Sequence, residues 1–350
     1  ETHVIEFAPV LMAEQLDVQG GNQLRQKIEQ MGVRVHTSKN TQNIAHHAAG
    51  KTLEFADGTS LDVDFIVFST GIRAQDKLAR QCDLPVGPRG GIQINDFCQS
   101  ADPDIYAIGE CAAWNEKIFG LVAPGYKMAQ VASDHLLGRA NRFSGADMSA
   151  KLKLLGVDVG GIGDAHGRTP GARSYVYLNE QTGVYKRLVV SPDNQYLLGA
   201  VLVGDTSDYG QLLQLMLNQI KLPEHPDSLI LPSHAGGEKP ALGVESLPDS
   251  AQICSCFDVS KGDIIQAVAK GCHTVAAIKT ETRAGTGCGG CVPLITQVLN
   301  AELSRQGIEV NSHLCEHFHY SRQELYHLIR VEEIQTFEQL LSKYGQGYGC

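Results

Sequence analysis

The stretch Asp104-Ile105-Tyr106-Ala107-Ile108-Gly109-Glu110 decides the fold, because it places a predicted β-strand directly before a glycine and a carboxylate. A second apolar run, Phe65–Ser69, is also predicted to be a strand and leads into Thr70-Gly71. Nearer the start of the chain, Thr2–Phe7 and Val33–Thr37 are predicted strands as well.

The segment between the first two predicted strands has the pattern of a helix. Gln15–Met31 carries Leu16, Leu24 and Ile28 on one face, and Gly32 supplies the stop signal. Strands and helices in this order predict an α/β sheet, doubly wound in style, for this first segment.

Composition places the chain among globular proteins of two or three domains. Its 350 residues are 43% hydrophobic and 19% charged, close to the globular average. The formal net charge of −10 disfavours nucleic acid and anionic lipid as partners. The longest apolar run, Phe65–Ile72, is far shorter than the roughly 18 to 20 residues that cross a bilayer, so we expect a cytoplasmic protein without a membrane span.

Glu6 closes the first predicted strand and is a candidate ligand for a nucleotide ribose. In a dinucleotide-binding βαβ unit, an acidic residue at the end of the second strand binds the ribose hydroxyls, about 20 residues after a glycine-rich turn. A carboxylate there would repel a 2′-phosphate, which favours NADH over NADPH. The glycine turn would precede residue 1, and a solvated glutamate at a strand end is the alternative interpretation.

The run Asp104–Glu110 resembles the two-dinucleotide-binding-domain flavoprotein reductases when it is taken with Phe65–Gly71 and Pro124–Gln130. The resemblance implies that 1–71 is the C-terminal part of an NAD-binding domain and 72–145 the C-terminal part of an FAD-binding domain.

In that family the segment corresponding to Thr70 and Gly71 closes the NAD domain, and Gly109 and Glu110 would contact the ribityl chain of FAD. The family usually has Asp where this chain has Glu110. A helix that opens near Pro124 would direct its positive N-terminus at the flavin ring.

Residues 146–222 alternate short strand-like runs with turns and end in a predicted helix, Tyr209–Ile220, which resembles the α+β interface domain of the same reductases. We interpret Gly160-Gly161-Ile162-Gly163 as a tight turn. Residues 223–251 are proline- and glycine-rich and are predicted to be a linker.

The cysteines are concentrated at the end of the chain, where seven of the ten lie in the last 97 residues. Cys254-Ser255-Cys256 is followed after 31 residues by Cys288-Gly289-Gly290-Cys291. Four thiolates suit either a tetrahedral zinc ion or a 2Fe-2S cluster. The glycine-rich loop, which frees backbone N–H groups, and a flavin region upstream favour the cluster. Residues 252–307 resemble the bacterioferritin-associated-ferredoxin type of small helical iron-sulfur module.

Residues 312–350 look like a degenerate second copy of that module. Cys315-Glu316-His317-Phe318 aligns with the C-x-C segment, and Gly349-Cys350 aligns with Gly287-Cys288. Ser321-Arg322-Gln323-Glu324 is a capping box that predicts a helix. His317 replaces the second cysteine, so we expect no cluster in this copy.

The order of these regions resembles the large subunit of bacterial NADH-dependent nitrite reductases. The resemblance implies FAD, NADH and a 2Fe-2S cluster here, with sirohaem and a 4Fe-4S cluster in a missing C-terminal part. It also implies a small-subunit partner, a homo-oligomer, and the role of passing electrons from NADH towards the reduction of nitrite to ammonium. We expect this chain to be a fragment that is inactive on nitrite by itself.

Two other functions fit the same residues. The chain is alternatively a flavoprotein reductase that delivers electrons to a separate rubredoxin, ferredoxin or nitrate reductase. A third interpretation makes the cysteine module a zinc-stabilised or redox-sensing domain without an electron-transfer role. The identity of the metal separates these interpretations.

Overall fold

The computed structural model describes residues 1–47, 50–232, 244–287, 289–308, 315 and 317–347. Within these residues, buried hydrophobic side chains gather in four clusters, one of which lies inside the cysteine module. No helix in this part of the chain is long and apolar enough to cross a membrane.

The chain opens with a strand-helix-strand unit, as the sequence predicted. Strands β1 (Thr2–Ile5) and β2 (Val33–His36) are parallel, and helix α1 (Val18–Gln30) connects them. The helix begins three residues later than predicted because Asp17 is its N-cap, with a carboxylate that accepts a hydrogen bond from the Gly20 N–H.

A three-stranded antiparallel sheet follows, made of β3 (Thr41–His47), β4 (Gly50–Phe55) and β5 (Ser60–Val63). The prediction that Phe65–Ser69 forms a strand is wrong for this structure. These residues have no strand assignment, and Phe65, Val67 and Phe68 are each at least 70% exposed. An apolar run becomes a strand only when neighbouring backbone pairs with it, and no described strand does so here.

The next region holds the short helix α2 (Lys77–Gln81) and the parallel pair β6 (Ile92–Ile94) and β7 (Ala112–Trp114). The prediction of a strand over Asp104–Ile108 is also wrong, since only Tyr106 forms a bridge, to Gln99. Hydrogen bonds within local turns satisfy this backbone instead. The Ile105 N–H donates to the Asp102 carbonyl and the Ile105 carbonyl accepts from the Ser100 N–H.

Helix α3 (Val122–Leu136) follows this turn-rich segment. Met128 and Val131 on its inner face are almost fully buried against Cys98 and Phe143. The helix therefore forms one wall of the cluster that supports the Gly109-Glu110 turn.

A five-stranded antiparallel sheet and one helix make up the interface region. The strand order is β10-β11-β12-β9-β8, and helix α4 (Tyr209–Leu217) packs on it. The five strands are β8 (Ala150–Leu154), β9 (Val157–Gly163), β10 (Arg173–Asn179), β11 (Val184–Val190) and β12 (Leu197–Val203).

The interpretation of Gly160–Gly163 as a tight turn is wrong, because these residues lie inside strand β9. Because these glycines have no side chain, neighbouring parts of the chain pack directly against the backbone of β9. A Cβ atom on Gly161 would lie 2.5 Å from the Gln15 carbonyl oxygen, and one on Gly160 would lie 2.8 Å from the Tyr209 ring.

The described part of residues 223–251 is packed rather than extended at its two ends. Leu229 and Ile230, in and after the short 3-10 helix Pro226–Leu229, are buried against the cluster around α4. Leu247 and Ala251 are buried in the cluster of the cysteine module.

The cysteine module is small and helical, with a two-stranded ribbon at its start. Ser260 caps its first helix through a reciprocal capping box with Asp263. Its elements are β13 (Gln252–Cys254), β14 (Val259–Ser260), α5 (Lys261–Ala269), α6 (Val275–Thr282) and α7 (Val292–Arg305).

The tail repeats the first helix pair of that module. Helix α8 (Arg322–Val331) starts with the predicted capping box of Ser321 and Glu324, and α9 (Phe337–Tyr344) is capped by Thr336. Thr274 caps α6 in the same way. Cys350 and the glycine before it lie outside the described residues.

Candidate functional site

Cys254 and Cys291 come together at the start of the cysteine module. Cys254 is buried at the end of β13, and Cys291 is at the N-cap position of α7. A hydrogen bond with the Cys291 thiol lowers the pKa of Cys254 well below the ordinary thiol value, although burial opposes the shift. The backbone N–H groups of Gly285, Phe257 and Cys256 act in the same direction. The pocket therefore favours thiolate, which is the metal-binding form.

The loop that leads to Cys288 folds over the C-x-C segment. A Cβ atom on Gly287 would lie 3.4 Å from the Cys256 sulfur and 3.2 Å from Cε2 of Phe257. Only glycine allows this approach without a shift of its neighbours. Cys288 itself lies outside the described residues.

The donor set is compatible with an iron-sulfur cluster or with zinc. Sulfur ligands and surrounding backbone N–H groups suit both. Within the described ranges, no group of three or more His, Cys, Asp or Glu side chains is placed to hold a metal ion. Ligation by Cys254, Cys256, Cys288 and Cys291 together therefore stays a prediction.

The Gly109-Glu110 turn rests on the first turn of α3. Gly109 has φ +74°, and a Cβ atom on Gly125 would lie 3.3 Å from the Gly109 Cα. The Gly109 N–H also points at the Met128 sulfur, 3.3 Å away. Pro124 is buried in the same turn of the helix, while Glu110 is exposed. The two predicted flavin-side segments are thus in direct contact.

The Thr70-Gly71 segment ends near the same place. Thr70 and Gly71 are exposed, and the Ile72 side chain that follows lies 3.5 Å from the Cβ position of Gly120, in the turn that enters α3. Leu121, at the N-cap position of α3, has no polar side chain with which to cap the first turn. An open helix N-terminus beside two exposed turns suits an anionic or electron-rich ligand, so the residues fit a flavin.

Glu6 belongs to the β1–α1–β2 unit. It directly follows β1, and one carboxylate oxygen accepts a hydrogen bond from the Ala8 N–H at 2.8 Å. Its backbone bonds to His36 and Lys39 fix it at the carboxyl end of the parallel pair. This is the edge at which parallel sheets bind ligands.

Sequence reasoning missed two aromatic residues that join the two halves of the site. Tyr126, on α3, and Phe257, next to Cys256, have ring centroids 5.8 Å apart at an interplanar angle of 42°. The Arg283 guanidinium lies 4.5 Å from the centroid of the Phe257 ring. The position of Phe257 directly after the C-x-C motif was the signal available in the sequence.

Family models match three successive regions of the chain, two of the oxidoreductase kind and one of the iron-sulfur kind. Residues 1–135 match the family described as pyridine nucleotide-disulphide oxidoreductase, and 149–220 match the rubredoxin NAD+ reductase C-terminal domain. Residues 252–301 match the BFD-like [2Fe-2S] binding domain. These matches confirm the predicted fold class and the expected cofactors, a nicotinamide nucleotide with FAD and a 2Fe-2S cluster.

Individual relatives agree with the resemblance inferred from the sequence. The chain is 76% identical over its whole length to the "Nitrite reductase (NADH) large subunit" of Escherichia coli, of which it covers 42%. It is 59% identical, also over its whole length, to the "Nitrite reductase [NAD(P)H] large subunit" of Klebsiella oxytoca, of which it covers 37%. The chain therefore spans less than half the length of either relative.

A solved structure supports the fold alone. The NAD-dependent persulfide reductase from A. fulgidus superposes with a TM-score of 0.52 at 20% identity, over 69% of this chain and 48% of that one.

Proposed function

We propose that this chain carries electrons from NADH, through FAD, to a 2Fe-2S cluster held by Cys254, Cys256, Cys288 and Cys291. The observation that carries the proposal is the paired Cys254 and Cys291 thiols, with the glycine loop closed over Cys256. The adjoining region supplies the turn and helix end that fit a flavin.

The side chains have separate parts in this proposal. Glu6 binds the ribose hydroxyls of the nucleotide and selects against a 2′-phosphate. Glu110 and the Gly109 backbone hold the ribityl chain, and Thr70 and Gly71 line the nucleotide side. The open first turn of α3 at Pro124 stabilises negative charge on the flavin ring. When bound, the flavin supplies the change from two-electron hydride chemistry to one-electron transfer.

The proposed domain organisation is the predicted one. It comprises the NAD-binding part (1–71), the FAD-binding part (72–145), the interface domain (146–222), the linker (223–251), the iron-sulfur module (252–307) and its degenerate second copy (312–350). We propose that the electrons go on to nitrite reduction, as the names of the relatives suggest, and that this last reaction takes place outside the chain. A small-subunit partner, a homo-oligomer and a cytoplasmic location complete the proposal.

Anaerobic reduction by NADH tests the electron path. Addition of NADH to protein loaded with FAD, iron and sulfide should bleach the flavin absorbance first and the cluster absorbance after it. Glu6→Gln should lower the preference for NADH over NADPH, whereas Glu14→Gln, on an exposed loop, should not. A protein that holds zinc and shows no visible absorbance would contradict the proposal.

The same reduced protein tests whether nitrite is reduced on this chain. Added nitrite should leave the reduced cluster unchanged, whereas an added one-electron acceptor such as ferricyanide should reoxidise it. Rapid reoxidation by nitrite would contradict the placement of nitrite reduction outside this chain.

A further inference from the structure

We propose that the contact between Tyr126 and Phe257 docks the cysteine module against the N-terminal end of α3, where the flavin is proposed to bind. We propose further that electrons cross from flavin to cluster at this contact. This inference rests on the proposed function for its redox part. Its structural part, the docking, stands on the contacts alone.

On the side of the proposed flavin site, Tyr126 directly follows the residue that packs against Gly109. The Gly109 backbone lies against Gly125, and Tyr126 is the next residue of α3. Tyr126 is nevertheless 49% exposed and is not part of the hydrophobic cluster beneath α3. Its ring is therefore available to a neighbouring module rather than required by the core of its own.

On the cluster side, Phe257 is tied directly to the cysteine loops. It follows Cys256, its N–H donates a hydrogen bond to the Cys254 sulfur, and its ring edge lies against Gly287. Arg283 stacks on the ring from a left-handed backbone conformation, with φ +65°, that disfavours most residues other than glycine. Phe257 is thus held in one place by the same loops that present the thiols.

The module has a second attachment, to the interface region. The Gln214 side-chain amide of α4 donates to the Gln252 carbonyl at 2.9 Å, and Ile220 packs against both neighbouring clusters. This attachment holds the start of the module. The Tyr126–Phe257 contact is a separate point that fixes the direction in which the cysteine loops face.

The electron count defines what this contact must carry. With FAD and the cluster bound, a hydride from NADH would supply two electrons and the cluster would take one at a time. The Tyr126–Phe257 contact would therefore carry two successive one-electron transfers, with an external one-electron acceptor such as ferricyanide reoxidising the cluster between them. Because tunnelling rates fall exponentially with distance, a module that pivots away from α3 transfers electrons more slowly.

The test compares Tyr126→Ala with Tyr126→Phe, which keeps the ring, and with Tyr326→Ala. Tyr326 is the control, since it is also an exposed helix tyrosine but its ring lies beside Arg330 of its own helix α8. In Tyr126→Ala, cluster reduction by NADH should slow several-fold, while flavin reduction and the reduction potential of the cluster stay unchanged. Tyr126→Phe and Tyr326→Ala should behave as the parent protein.

Hydrogen exchange supplies a readout that needs no cofactor. Backbone amides around Cys256 and Phe257 should exchange several-fold faster in Tyr126→Ala, although the substitution lies in another region of the chain. Parent-like exchange in that variant would overturn the docking, and a parent-like rate of cluster reduction would overturn the electron path. If NADH fails to reduce the cluster in the parent protein, the proposed function is wrong, and exchange still decides the docking.

Discussion

Lys186 is buried in the middle of strand β11, with 3% of its side chain exposed. Its ammonium lies 2.6 Å from carboxylate oxygens of both Asp205 and Asp208. Burial alone would raise the pKa of Asp205, but the hydrogen bond from Lys186 lowers it to about 2. The pKa of Lys186 is raised despite burial, because two carboxylates face it. A charged lysine at this position is therefore compatible with the core.

Removal of this ammonium should destabilise the interface sheet. Lys186→Met leaves the buried Asp208 carboxylate without its cation, which should cost about 3 kcal/mol in the free energy of unfolding. Lys153→Met, at an exposed position of β8, is the control and should change it by less than about 0.5 kcal/mol. Urea unfolding measures both, and equal losses in the two variants would contradict the account of Lys186.

The pairing of Cys254 with Cys291 leads to a prediction about metal content. Cys291→Ser should remove most of the iron and sulfide bound per chain, because it breaks the pair of thiolates formed with Cys254. Cys82→Ser changes an exposed cysteine after α2 and should leave both unchanged. Full iron content in Cys291→Ser would show that this thiol is not a ligand.

Among the secondary-structure elements, several helix starts were predicted from the sequence, whereas α2 and α6 were missed and two predicted strands did not form. The starts of α5 and α8 are set by Ser260 and Ser321, whose capping hydrogen bonds lie within four residues of sequence. Such local signals can be read from the sequence alone. Phe65–Ser69 and Asp104–Ile108 have strand-like composition, but pairing depends on distant backbone that a local pattern does not specify.

The candidate site shows the same division. Cys254 and Cys291 were predicted from the spacing of the cysteines, and Gly109 and Pro124 from the resemblance to flavoprotein reductases. The contact of Tyr126 with Phe257 was not found, because it joins residues that are 131 positions apart and depends on how two regions pack. Gly161 was misinterpreted for a related reason, since its close neighbour, Gln15, lies in another part of the chain.

Strand β9 supplies a test of that close packing. Gly161→Ala would place a Cβ atom 2.5 Å from the Gln15 carbonyl oxygen, so it should destabilise the protein by about 1 to 3 kcal/mol. Gly210→Ala, in α4, meets nothing within 4 Å and should be neutral or stabilising by up to about 1 kcal/mol. Thermal unfolding compares the pair. A neutral effect of Gly161→Ala would mean that the approach to Gln15 is loose.

At the scale of the whole molecule, Asp17 connects the first strand-helix-strand unit to the five-stranded sheet. One carboxylate oxygen caps α1 through the Gly20 N–H. The other accepts hydrogen bonds from the Tyr185 hydroxyl at 2.7 Å and from the Arg187 guanidinium at 2.9 Å. Burial and the hydrogen bond to Asp17 raise the pKa of Tyr185, so its hydroxyl stays protonated and donates.

Two substitutions of Asp17 separate its local and long-range roles. Asp17→Asn keeps a capping side chain but removes the charge that pairs with Arg187, and should cost about 1 to 2 kcal/mol. Asp17→Ala removes both and should cost about 2 to 4 kcal/mol. Urea unfolding gives the two values. Equal losses would indicate that capping contributes nothing at this position.

The cysteine module contacts α3, so the proposed cluster site and the proposed flavin site are neighbours although the sequence placed them in separate domains. The module is attached through Gln214 to the interface region and through Phe257 to α3. The four cysteines therefore decide the function of the module, since a redox centre at that place would receive electrons and a structural ion would not.

Iron, zinc and acid-labile sulfide per chain, measured on protein purified without oxygen, test this most directly. We predict roughly two irons and two sulfides per chain, with no zinc. One zinc ion without sulfide would contradict it and would make the cysteine module a structural or sensing domain.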